Sequence, residues 1–186
     1  MQNVNATITF TDHVVATPVA EVDQLDLSSD WFAGLMAAAM DFTLENGLTI
    51  VGRNVGIGVW EGGAEPSVSV DVVASSIDAI MVTAGDLAAE FGQDAVMVTF
   101  PNPADHTTVN GFETVIGVAG LEYEEILRAM ESYGISGGRI EGSKLIIFSG
   151  DPDQNEAAVK LSNDFGLRSA RAARAEFVTA GHLEAV

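Results

Sequence analysis

Cysteine is absent from this 186-residue chain. That excludes disulfides, thiolate metal sites and a cysteine nucleophile together. Proline is scarce, at five residues, and no polar low-complexity tract appears, so a disordered reading fails. Long hydrophobic runs are also missing. The richest stretch, residues 31–40, is about ten residues long between Asp30 and Asp41, against the roughly 20 that a membrane-spanning helix needs. Met1-Gln2-Asn3-Val4 has neither a basic segment nor an apolar one, so no signal peptide is expected. Together with the missing cysteine, this points to the cytoplasm.

Basic residues are the scarcest charge. Eight Lys and Arg stand against 27 Asp and Glu, a net charge of −19. Residues 1–120 carry sixteen acids and one base, Arg53, whereas residues 121–186 carry eleven acids and seven bases. Such a field repels nucleic acid and anionic lipid, so direct binding to either is not expected. It attracts cations and basic protein surfaces. One reading is adaptation to solvent or salt, which the two lysines against six arginines would suit. The other is an acidic surface that docks on a basic protein, in imitation of nucleic acid.

What is present is a large apolar share, 47% of residues, arranged in recurring patterns. Residues 5–15 read as a strand. Ser28 or Ser29 can cap a helix that Gly47 ends. Residues 48–60 form a strand, and a Gly62-Gly63 turn leads to residues 67–73, where Val68, Val70 and Val72 alternate with Ser67, Ser69 and Asp71. Ser75 or Ser76 caps a second helix that Gly92 ends, and residues 95–100 make a short buried strand. The order then repeats. A strand covers 113–118, a helix 123–133, a hairpin 138–148 around Gly142-Ser143, and a helix opens at Asp151-Pro152 and stops at Gly166. The last strand covers 172–179.

Two βαββαβ units follow from this order: residues 1–103, strongly acidic, and 112–186, nearly balanced, with 104–111 as linker. Leu44-Glu45-Asn46-Gly47 answers Glu131-Ser132-Tyr133-Gly134, and Phe91-Gly92 answers Phe165-Gly166. Between these markers the first unit is about thirteen residues longer, which predicts a longer hairpin. The order is that of the ferredoxin-like superfold, so the expected class is α+β, with antiparallel sheets carrying helices on one face. The two sheets either stay separate or join edge to edge, which would hide their edges.

The site candidates are few. His13, beside Asp12, His106, after Asp105, and the near-terminal His182 lie on separate segments with no metal-ligand spacing. Gly56-x-Gly58 lies inside a strand rather than between strand and helix, so it marks a bulge or a close backbone approach instead of a phosphate loop. No motif asks for a metal or a cofactor, and no nucleophile set can be placed. The 60–67 hairpin is the most site-like stretch, with Trp60, Glu61 and Glu65 around a tight turn. Its paired carboxylates suit acid–base work or an oxygen-ligated cation, and its bland reading is a solvated tip. Arg168, Arg171 and Arg174 are the one basic cluster. On a strand Arg168 and Arg174 share a face and Arg171 opposes them, while the Ala-rich spacing also admits a helix. They could hold an anion, or pair with the acidic first unit within the chain or across a homo-oligomer.

Phe91-Gly92-Gln93-Asp94-Ala95-Val96 resembles a helix-to-strand signature, F-G-Q-x-A-V, of small uncharacterised bacterial and phage proteins, over residues 45–100. The resemblance implies a Phe knob, a glycine helix end and a buried strand, and no reaction. Gln93 is a contact candidate within it. Three function classes follow. The first is a non-enzymatic acidic binding protein, of phage or plasmid type, that inhibits a basic partner. The second is a small-molecule sensor or an enzyme with its site at the 60–67 hairpin or between the units. The third is a structural or virion subunit.

Overall fold

A computed structural model describes residues 3–11, 17–18, 30–60, 63–101, 111–149, 152–167 and 169–179. The elements are β1 (Val4–Thr11), β2 (Thr17–Pro18), α1 (Asp30–Glu45), β3 (Thr49–Trp60), β4 (Gly63–Ala74), α2 (Ile77–Glu90), β5 (Ala95–Phe100), β6 (Gly111–Gly117), α3 (Tyr123–Ser132), β7 (Gly137–Glu141), β8 (Lys144–Ser149), α4 (Pro152–Asp164) and β9 (Ser169–Thr179). Apart from the two-residue β2, this is βαββαβ twice over.

Each unit lays its strands in the same order: β5-β1-β4-β3 in the first, β9-β6-β8-β7 in the second, all antiparallel. The two sheets join at both edges. β5 pairs with β9 along Ala95–Phe100, and the far end of β3 pairs with β7, Ile57 opposite Ile140 and Trp60 opposite Gly137. β1 also pairs with β4, so eight strands each have two neighbours and the sheet closes into a barrel. Closure gives each of these strands a neighbour on both sides over part of its length, while residues 49–56 of β3 pair with β4 alone among the described residues. Pro66, which has no N–H to give, sits where the pairing along β4 passes from β1 to β2.

The helices cover the outside. Strand alternation sends Ala6, Ile8 and Phe10 of β1 and Val68, Val70 and Val72 of β4 outward against α1 and α2, where all six are buried with Ile80, Leu87 and Val98. A second core gathers Ile116, Leu145 and Ile147 against Ile126, Met130 and Leu161 of α3 and α4. The helix signals act where expected. Ser76 caps α2 by accepting the Ala79 N–H at 3.2 Å, and the chain leaves that helix through Gly92 at φ +62°. Phe91 turns back to stack on Phe10, with ring centroids 5.2 Å apart. None of the described helices is long and apolar enough to cross a membrane.

Residues 169–174 form strand rather than helix. β6 pairs along residues 169–175 and β5 along 174–179, and these ladders of hydrogen bonds outweigh alanine's helix preference. A bulge between Glu113 and Thr114 also resets the parity of β9. Arg171 stands opposite Thr114 and Arg174 opposite Phe100, so the two share one register face instead of opposing each other.

Candidate functional site

Along β1 and β4 the barrel's inner face is polar, for the same reason that its outer face is apolar. Along β4, Ser67, Ser69 and Asp71 alternate with the three valines and so face inward, beside Thr7 and Thr9 of β1. Thr7 donates to Asp71 at 2.6 Å. Ser69 donates to the Glu141 carboxylate at 2.8 Å, which leaves Thr9 to donate to Ser69 at 2.9 Å. The Arg139 guanidinium donates through Nε to the same Glu141 oxygen at 2.8 Å. A single chain, Thr9 to Ser69 to Glu141 to Arg139, therefore stitches the first unit to the second through the barrel.

Glycine makes that crossing possible. β3 lies between β4 and β7, so the bond from Ser69 to Glu141 has to pass over it. A Cβ at Gly56 would strike the Ile140 carbonyl oxygen and come within 3.0 Å of Glu141 Cγ. The expected close backbone approach in the Gly56-x-Gly58 strand is thus found at Gly56.

Beyond this network, at one end of the barrel, lies a cavity of about 440 Å³ built from both units. Gly58 and Gly138 line it and put no side chain into it. Met97 and Phe148 supply apolar wall, while Glu65, Ser67, Gln93 and Arg139 supply polar groups. Arg139 and Gln93 are largely buried, 5% and 7% exposed. Ser67 is 1% exposed, and its hydroxyl has no hydrogen-bond partner among the described residues. On the β3 side Ser67 stands opposite Gly56, which has nothing to offer it, and on the β1 side its register partner is Thr11. A buried hydroxyl left unpaired costs about 1–3 kcal/mol. A hydroxyl so placed in a cavity wall is able to hydrogen-bond an occupant of that cavity.

A broader surface groove of about 540 Å³ lies between α3 and α4, lined by Tyr133, Asp153, Glu156, Lys160 and Asp164. Three of its groups engage one another. Tyr133 donates to Asp164 at 2.7 Å, and Lys160 Nζ lies 5.9 Å from the Tyr133 ring centroid. The hydrogen bond to Asp164, with some desolvation and the carboxylate's charge, raises the Tyr133 hydroxyl above its ordinary pKa of 10.0. The groove reads as a helix–helix lock.

Of the residues singled out by sequence, the structure brings Glu65 and Gln93 together on the cavity wall. Trp60 closes β3 opposite Gly63 and Gly137. Arg171 and Arg174 lie on β9, paired as given above. Glu61, His13, His106, His182 and Arg168 lie outside the described residues. The sequence reading included Ser67 at the end of the 60–67 stretch without naming it as a contact, and it singled out neither Arg139 nor Glu141. The signal was available in the Ser-x-Ser-x-Asp alternation and in Arg139-x-Glu141, which places both charges on one face of one strand. Among the described residues, no cluster of His, Asp and Glu could hold a metal ion.

No protein-family model matches the chain, and no curated protein matches it. Among solved structures it is similar to the acetolactate synthase small subunit of Thermotoga maritima, at 18% identity over 95% of this chain and 98% of that one, with a TM-score of 0.32. A putative glycine cleavage system transcriptional repressor gives 15% identity over 96% and 98%, again with a TM-score of 0.32. Likeness at this level leaves the function to be argued from the chain's own residues.

Proposed function

We propose that this protein binds a small molecule in the cavity at the end of its barrel, as a sensor or carrier rather than by reaction. One observation carries the reading: the Ser67 hydroxyl, buried and unpaired in the wall of a concave space that both units build. The volume of about 440 Å³ suits a metabolite-sized ligand. Apolar wall and a few fixed polar groups are the usual make-up of such sites. Because Arg139 and Glu141 tie the cavity to the inter-unit network, an occupant would also bear on how the units hold together.

A ligand-observed NMR screen of metabolite-sized fragments tests this, run on the wild type and on Ala95→Trp, which fills the cavity from β5. Fragments that bind the wild type and are lost in the variant support the reading. Fragments that bind both alike, or none at all, sink it.

The charge asymmetry favours a second, separate reading, in which the acidic first unit, with sixteen acids and one base in residues 1–120, docks on a basic protein. A lysate pull-down eluted with rising salt tests it. A basic protein released only by salt is the expected result, and an empty column would count against it.

A further inference from the structure

We infer that the cavity's ligand is an amphipathic cation: a small amine bearing an apolar group. The inference rests on the cavity reading above and adds the chemical class. Three observations point the same way. The first is the charge at the cavity. Among the described residues, half-buried Glu65 and exposed Asp94 line it, and the one lining cation, Arg139, is already bonded to Glu141 at 2.8 Å, with side-chain exposures of 6% and 16%. The pair cancels, so the carboxylates of Glu65 and Asp94 set the sign.

The second is hydrogen-bond type. Glu65 and Ser67 are two residues apart on β4, hence on one face and about 7 Å apart along the strand. An ionised carboxylate only accepts, and a hydroxyl oxygen accepts as well as donates. An ammonium, with three donors and no acceptor, complements both, and it meets the orphaned Ser67 oxygen with a charge-assisted bond. The third is the wall. Met97 and Phe148 give an apolar body a place to lie, which a bare inorganic cation would not use. An anion in the same place would face Glu65 and Asp94 and cross the field of a chain carrying −19.

The test is calorimetric titration of the full chain at low salt with three probes of one shape: 2-phenylethylamine, 2-phenylethanol and 3-phenylpropionate. The amine is expected to bind about tenfold or more tightly than the other two, to lose about tenfold in Glu65→Gln, and to be lost in Ala95→Trp. Unchanged melting of Glu65→Gln would show that its loss is not unfolding. Binding of the alcohol or the propionate as tight as the amine, and blocked by Ala95→Trp, would overturn the cation class and leave the cavity standing. Amine binding indifferent to both variants would be adventitious pairing with an acidic surface and would overturn the inference. Failure of all three probes at millimolar concentration would overturn class and cavity together.

Discussion

The two units share an element order and a strand order, yet they spend their residues differently. In the first unit β3 and β4 run twelve residues each; in the second, β7 and β8 run five and six. The extra length leaves home. Ile57 and Val59 of β3 and Ala64 of β4 are buried in the second unit's core, not their own. In return, Val178 of β9 is buried in the first unit's core. Fully burying a side chain such as Ile or Val is worth about 1.5–3 kcal/mol, so these exchanges hold the seams with apolar contact as well as with hydrogen bonds. Matched letters are used differently too. Phe91 stacks on Phe10 of the sheet, whereas its counterpart Phe165 is 47% exposed and meets Tyr133 edge-on at 6.4 Å. Duplication kept the frame, and closure of the barrel set what each copy does within it.

The comparison breaks hardest at the network that joins the copies. Arg139→Met leaves the partly buried Glu141 with the Ser69 hydroxyl but without its cation, a loss of roughly 2–3 kcal/mol by urea unfolding. Replacing both, as Arg139→Met with Glu141→Leu, should recover most of that loss, because no charge is then stranded. If the double variant were as unstable as the single one, the ion pair would not be the reason. Next comes Gly56→Ala. Its Cβ meets a backbone carbonyl, which cannot swing away as a side chain can. We expect a loss of about 1–3 kcal/mol, and a neutral result would mean that β3 and β7 approach less closely than they do here.

Local chemistry in the sequence announced the elements well. Ser76, Gly92 and the Gly142-Ser143 turn act as their residue types imply. The extra residues of the first unit do lie in its hairpin. The joining of β3 to β7 and of β5 to β9 was legible only as one of two options, since pairing between distant segments leaves no local signature. The bulge opposite Thr114 was not legible at all, so the parity of Arg171 came out reversed. The cavity was hidden for a related reason. Ser67, Ser69 and Asp71 look like a wetted strand face until the other sheet is known to lie across from them.

Ser67→Ala sharpens the comparison from inside the site. Most buried-residue truncations destabilise, but here the lost group has no partner, so the empty protein should gain about 1 kcal/mol. The gain should come with weaker ligand binding, which is the signature of a residue kept for function at the expense of stability. Thermal unfolding with and without ligand reads both. A destabilised Ser67→Ala would mean that the hydroxyl is satisfied in solution, and the main support for the site would go.

The smallest effect lies outside the barrel, where α3 and α4 of the second unit are tied by Tyr133 and Asp164. The first unit ties its helix to the sheet with Phe91 and Phe10, which carry no proton to lose. Only the second lock should therefore answer to alkali. Tyr133 has a pKa raised above 10.0, chiefly because its hydroxyl donates to Asp164, and a phenolate could neither donate nor sit beside that carboxylate. The folded state thus holds the phenolic proton more tightly than the unfolded chain. Its contribution is fully present below the unfolded pKa and fades as pH rises through the raised one. Urea midpoints of wild type and Tyr133→Phe should differ by a constant amount from neutral pH to about 10, then converge above it. An absorbance titration should show the late-ionising tyrosine vanish in the variant. A gap that persists unchanged into strong alkali would mean that the hydroxyl's bond to Asp164 adds nothing, and that ring packing against Phe165 alone holds the two helices.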